Sequence, residues 1–170
     1  LVRAASFGAP NSAERLAAEA LRDPSDRGER SLLAAEVATP NVAAKRAAWA
    51  RILRSDGYGS VRKTLAAASG FAWPWQHELL APCVAQIPTA LLALGSADAT
   101  FARDLVTRSA SLGLWGSPAS MLVAVDALLA NIADPAHGIP AVDAARLRRF
   151  ALLERDGLIR VLRQQGASGK

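Results

Sequence analysis

His77-Glu78-Leu79-Leu80-Ala81 stops one residue short of the helical zinc-peptidase pattern. That pattern sets histidines at i and i+4 so that both rings meet one metal, with the intervening glutamate as general base. Ala81 occupies the second ligand position, and the other histidine, His137, lies 60 residues on. One cysteine, Cys83, supplies no thiolate cluster to complete a site. The run Gly57-Tyr58-Gly59-Ser60-Val61-Arg62 holds two glycines of a dinucleotide loop, but Arg62 stands where the third belongs. No strand pattern precedes it, so a helix-to-helix turn is expected. There is no Gly-x-Ser-x-Gly, and no signature sets a base beside a serine or cysteine. The residues therefore assign no catalytic, cofactor-binding or metal-binding position.

Two sets of side chains suggest binding instead. Tryptophans stand at 49, 73, 75 and 115. Trp49 shares helical spacing with Ile52 and Leu53 and is expected in the core, while Trp73 and Trp75 flank Pro74 and read as an aromatic plug. Arg146, Arg148, Arg149, Arg155, Arg160 and Arg163 crowd the last helical segment. Pairing with Asp143, Glu154 and Asp156 would make them an ordinary solvated face, worth a few tenths of a kcal/mol per pair. The alternative is a basic surface for a carboxylate-bearing ligand.

The elements that hold these residues follow from composition and punctuation. The chain has 170 residues, 38 of them alanine, with 51% apolar residues and 5% aromatic. Alanine forms helix best because it loses no side-chain entropy, yet it buries little area. The core must rest on Leu, Ile, Val, Phe and Trp. Basic and acidic residues interleave at a net charge of +5, which gives little support to a nucleic-acid partner. The apolar stretch 79–94 is broken by Pro82, Gln86 and Pro88, and 121–132 contains Asp126, so neither suits a membrane helix. A lone, apolar-flanked cysteine fits a reduced thiol and a cytoplasmic location. The chain begins at Leu1 and its one methionine is Met121, as expected of a piece of a longer product.

Helices are expected from Asn11-Ser12 to Asp23-Pro24, with Leu16, Ala17, Ala20 and Leu21 on one face, and from Ser25 or Asp26 to Thr39-Pro40. A third carries Val42, Trp49, Ile52 and Leu53, and a fourth runs from Ser60 to Ser69-Gly70. Trp73, before a proline, should be extended. A fifth region, 75–94, must break, kink or begin at Pro82 and Pro88. Asp98 caps a sixth, with Phe101, Leu105 and Val106, closing at Gly113. Ser117-Pro118 starts a seventh with Met121, Val125, Leu128 and Ile132. The last, 142–165, carries Leu147, Phe150, Leu153 or Glu154, Leu158, Val161 and Leu162, and 166–170 reads as a flexible tail. About eight helices with short links predict an all-α chain. Antiparallel pairs stacked into a right-handed HEAT/ARM-like α-α solenoid would make 1–165 one helical-repeat domain.

Ordered stretches also resemble a known family. They are Arg22-Asp23-Pro24-Ser25; Pro40 with Lys45 and Ala48-Trp49; Gly70-Phe71; Gln76-His77-Glu78-Leu79-Leu80-Ala81-Pro82; Ser117-Pro118; and Asp126-Ala127-Leu128-Leu129-Ala130. The last is the run 147–157 with Arg160-Val161-Leu162-Arg163. Together they resemble the C-terminal region of actinobacterial M1 zinc aminopeptidases, a helical domain also found in the endoplasmic-reticulum aminopeptidases. Cys83 stands where that family often has an aromatic residue, and Ala127-Leu128 where a tryptophan is frequent. The resemblance implies a HEAT-like domain that encloses the peptide cavity, with the catalytic domain of the same polypeptide and a peptide substrate as partners. It implies zinc for the parent enzyme, whose ligands would lie upstream, and no site residue in this chain, which alone should be inactive. Two other readings share the sequence: a free-standing helical-repeat interaction module and a basic helical nucleic-acid binder.

Overall fold

The computed structural model describes residues 1–108 and 116–168. Among these there is no strand, and ten helices follow one another. They are α1 (Val2–Ser6), α2 (Ser12–Arg22), α3 (Asp26–Ala38), α4 (Val42–Ile52), α5 (Val61–Phe71), α6 (His77–Val84), α7 (Ile87–Ala97), α8 (Ala99–Arg108), α9 (Pro118–Ala133) and α10 (Ala141–Ser168). Short 3-10 turns at Pro74–Gln76 and Pro135–His137 precede α6 and α10. The all-α reading holds, with two more helices than expected. The five-residue α1 offers too little periodicity to be seen, and the fifth region divides into α6 and α7. Pro82 lies inside α6, two residues from its end, and Pro88 sits in the first turn of α7. The axis turns by 70° between the two. The expected closure at Gly113, and Trp115, lie outside the described residues. α10 continues through Gly166 to Ser168.

Start signals act through side-chain oxygens that accept from orphan backbone N–H groups. Ser25 Oγ accepts from Gly28 N at 3.1 Å, Ser60 Oγ from Lys63 N at 3.3 Å and Ser117 Oγ from Ser120 N at 3.2 Å. Asp98 Oδ1 accepts from Phe101 N at 2.9 Å, and Asn41 caps α4 likewise. Asn11 departs from expectation: it is left-handed at φ 59° and makes no side-chain cap, while the neighbouring Ser12 hydroxyl donates back to Ala9 O. Replacing Ser117 with alanine is expected to lower stability by about 1 kcal/mol. Urea unfolding checks this; Asn11→Gly, which keeps the left-handed backbone and removes a side chain that makes no cap, should leave the urea midpoint nearly unmoved.

The main core joins α3 through α10. Trp49, Ile52, Phe71, Leu80, Ile87, Phe101, Met121, Val125 and Leu128 are buried in one cluster. Toward the N-terminus the packing is finer. α3 meets α5 through Ala34 and Gly70, and Ala5, Ala35 and Ala38 form a small second cluster between α1 and α3. α9 and α10 pack closely. Leu147, Ala151 and Leu158 face inward there, so steps of four and seven residues define the buried stripe. Leu153 and Val161 consequently point outward, against expectation. α2 has no buried residue, and Leu21 is exposed, because only Leu16 reaches the small cluster. No single helix among the described residues is long and apolar enough to cross a membrane.

Candidate anion-binding groove

The histidine motif disperses. His77 begins α6, exposed, with Nδ1 3.1 Å from Pro74 O, and His137 lies 3.8 Å from Asp134. Among the described residues no three His, Cys, Asp or Glu side chains gather as a metal would require. Cys83 is buried, and that burial pushes its thiol above the ordinary range. The glycine run is the α4–α5 turn. The Arg51 guanidinium lies 3.7 Å from the Tyr58 ring centroid, and its Nε donates to Gly57 O at 2.9 Å. Gly59 has φ +85°, a conformation that favours glycine.

The tryptophans separate by role. Trp49 is core, its Nε1 donating to Gln86 Oε1 at 2.9 Å at the bend between α6 and α7. Trp73 is extended as expected, at φ −135° and ψ 138°, and packs on the small alanine cluster. Trp75 is 41% exposed and stacks on Phe7 at 4.2 Å. Two of these three are therefore structural, and Trp75 half covers the end of α1.

A buried polar knot lies beside them. Lys45, 1% exposed, donates from Nζ to Val37 O at 2.8 Å and to Phe71 O, and stands 5.0 Å from the Phe71 ring centroid. One ammonium thus satisfies carbonyls at the C-terminal ends of α3 and α5, where the helix dipoles are negative. Burial lowers its pKa to about 8, and the neighbouring Cys83 works in the other direction. Gln76 Nε2 donates to Ser6 O at 2.6 Å and Ala38 O at 2.8 Å, tying α1 to α3. Lys45 is sealed from solvent and already donates to two carbonyls, so its role is structural. Sequence reading found it only through the family resemblance, since a lysine within a helix ordinarily signals a solvated face.

The residues best arranged to meet a ligand were not singled out by any motif. Arg27 and Arg30 of α3 and Arg62 of α5 border an open groove of about 440 Å³, floored by Ala34, Leu65 and Ala66. α3 and α5 lie side by side, and these three arginines line the groove between them. Arg30 pairs with Asp26 at 3.3 Å, while Arg27 and Arg62 make no salt bridge among the described residues. Ser31 and Ser69 on the rim donate to carbonyls of their own helices, at 3.0 and 2.7 Å, and keep lone pairs free. Planar guanidiniums over an apolar floor suit a carboxylate or phosphate joined to a small apolar group. Its lining is otherwise apolar, with Val2, Ala34, Leu65 and Ala66.

Comparison with family models, curated proteins and solved structures finds no match to this chain.

Proposed function

We propose that the chain is the non-catalytic, substrate-enclosing C-terminal domain of a zinc-dependent aminopeptidase of the M1 type, which removes N-terminal residues from peptides. Its helices would form a right-handed superhelix of antiparallel pairs, arching over a catalytic domain of the same polypeptide. The observation that carries this reading is where the family-like residues lie. Lys45, Trp49, Gly70, Phe71 and Gln76 are all buried and adjoin the ends of α1, α3 and α5 or the bend after α6. Relatives that share a fold share such fold-bearing positions, and these five support the reading, while other family-like positions, among them Arg22, Pro40, Glu78, Asp126 and Arg149, are exposed. A closing domain contributes by excluding water and positioning the peptide, and the Arg27–Arg30–Arg62 groove offers a place for a peptide carboxylate. Zinc and its ligands would belong to the upstream part.

The test is the native product. An antibody against this chain should capture a polypeptide several times heavier than 17.8 kDa that cleaves a leucine amide and loses activity to a chelator. The isolated chain should neither retain zinc nor cleave that amide. A native band at 17.8 kDa would overturn the proposal and favour a free-standing interaction module.

A further inference from the structure

We propose that the outward face of α10 docks a leucine-bearing acidic helix of another protein segment, an interaction separate from the groove and independent of the enzyme assignment. α10 is far longer than its packing requires. Its 28 residues span about 42 Å at 1.5 Å per residue, against about 24 Å for the 16 residues of α9. Its last buried residue is Leu158, and beyond it Ile159 and Leu162 are only half-buried. Helices draw most of their stability from packing an apolar face, and the end of α10 has little of that.

The composition of the free face selects the partner. Val142, Leu152, Leu153 and Val161 are exposed on α10. Arg148, Arg149, Arg160 and Arg163 have no ion-pair partner among the described residues, unlike Arg146, which pairs with Asp143 at 3.6 Å, and Arg155, which pairs with Asp126 at 2.6 Å. Positions 145, 149, 152, 156, 160 and 163 advance by three or four residues and so form one stripe. Arg148, Arg149, Leu152, Leu153 and Asp156 line a shallow depression of about 430 Å³ on it.

Arginine and leucine are interleaved around this depression. A surface helix of a membrane keeps them on opposite faces, and α10 spends its opposite face on α9. A nucleic acid would leave Leu152 and Leu153 unmatched. A second copy would set arginine against arginine. An amphipathic helix with leucines at core spacing and glutamates beside them fills the depression and pairs the guanidiniums.

The probe is a fluorescein-labelled peptide of three heptads, with leucine at the a and d positions and glutamate at e and g. Anisotropy titrations use the 170-residue chain. Saturable binding is expected, weakened about tenfold or more by Arg149→Glu with Arg160→Glu and, separately, by Leu152→Ser with Leu153→Ser. All four positions are exposed, so circular dichroism and Tm should stay unchanged. The same peptide with lysine for glutamate should bind at least about tenfold more weakly. The proposal is overturned if the glutamate peptide does not bind, if both peptides bind alike, or if either paired variant binds as well as the original. Tighter binding to phosphatidylserine vesicles or duplex DNA than to the glutamate peptide would also overturn it.

Discussion

Replacing Gly70 with alanine is expected to destabilise the chain by about 3 kcal/mol, although alanine is the better helix former. In an unconstrained helix interior the exchange would gain about 1 kcal/mol. Gly70 lies inside α5, and a Cβ there would stand 1.9 Å from Ala34 O and 2.6 Å from Ala34 C. The obstacle is backbone, which cannot rotate away as a side-chain tip can. α3 and α5 would have to separate, and overfilling a packed contact costs about 1–3 kcal/mol, here near the upper end. Burial of Ala67 and Ala68, and the reach of Lys45 to Phe71 O, would suffer with it. Urea midpoints for Gly70→Ala and for Gly166→Ala, where a Cβ meets nothing, supply test and control. A gain at position 70 would contradict the close approach.

The second large effect is a pH dependence carried by Lys45. Burial lowers its pKa in the folded chain to about 8, from an ordinary 10.5. Between those values the unfolded chain holds a proton that the folded chain has released, so stability rises with pH across the window. The gain is fully present above the unfolded pKa and is lost as pH falls through 8. At about 1.4 kcal/mol per unit it reaches up to about 3 kcal/mol. Tyr58 and Cys83, whose pKa values burial raises, oppose it by favouring the folded state less as pH climbs past their unfolded values. They remain in Lys45→Met, whose position 45 has no proton to release. The stability difference between parent and variant should therefore widen in the parent's favour by about 2–3 kcal/mol from about pH 7.5 to pH 10. Parallel profiles in urea would show that the ammonium is not desolvated as its position demands.

Helix boundaries were legible where chemistry sits in the local sequence. Ser25, Ser60, Asp98 and Ser117 announce starts because the capping oxygen and its N–H lie three residues apart. Asn11 misled because a left-handed residue serves the turn with its backbone rather than its side chain. The bend after α6 was foreshadowed by Pro82 and Pro88, but the break falls at Ala85 and Gln86, where Trp49 closes on it from α4. On α10 the inward side expected from Leu147, Phe150 and Leu158 is the buried one, and of the alternatives Leu153 and Glu154 it is Leu153 that points outward, one residue and about 100° around the axis away. The groove could not be read at all. Arg27 and Arg30 meet Arg62 only because Gly70 lets two helices approach, and no periodicity within one segment carries a distance between segments.

Alanine and glycine at the α3–α5 seam also set where the molecule can bend. Two helices touching backbone to backbone have no layer of long side chains whose rotamers could shift to let one slide along the other. Lys45 and Gln76 fasten the same end. α3 and α5 are therefore expected to move together, and the 70° corner between α6 and α7 offers a place where the chain can flex. There Pro82 removes one rung of the helical ladder, and the indole of Trp49 donates a hydrogen bond to Gln86.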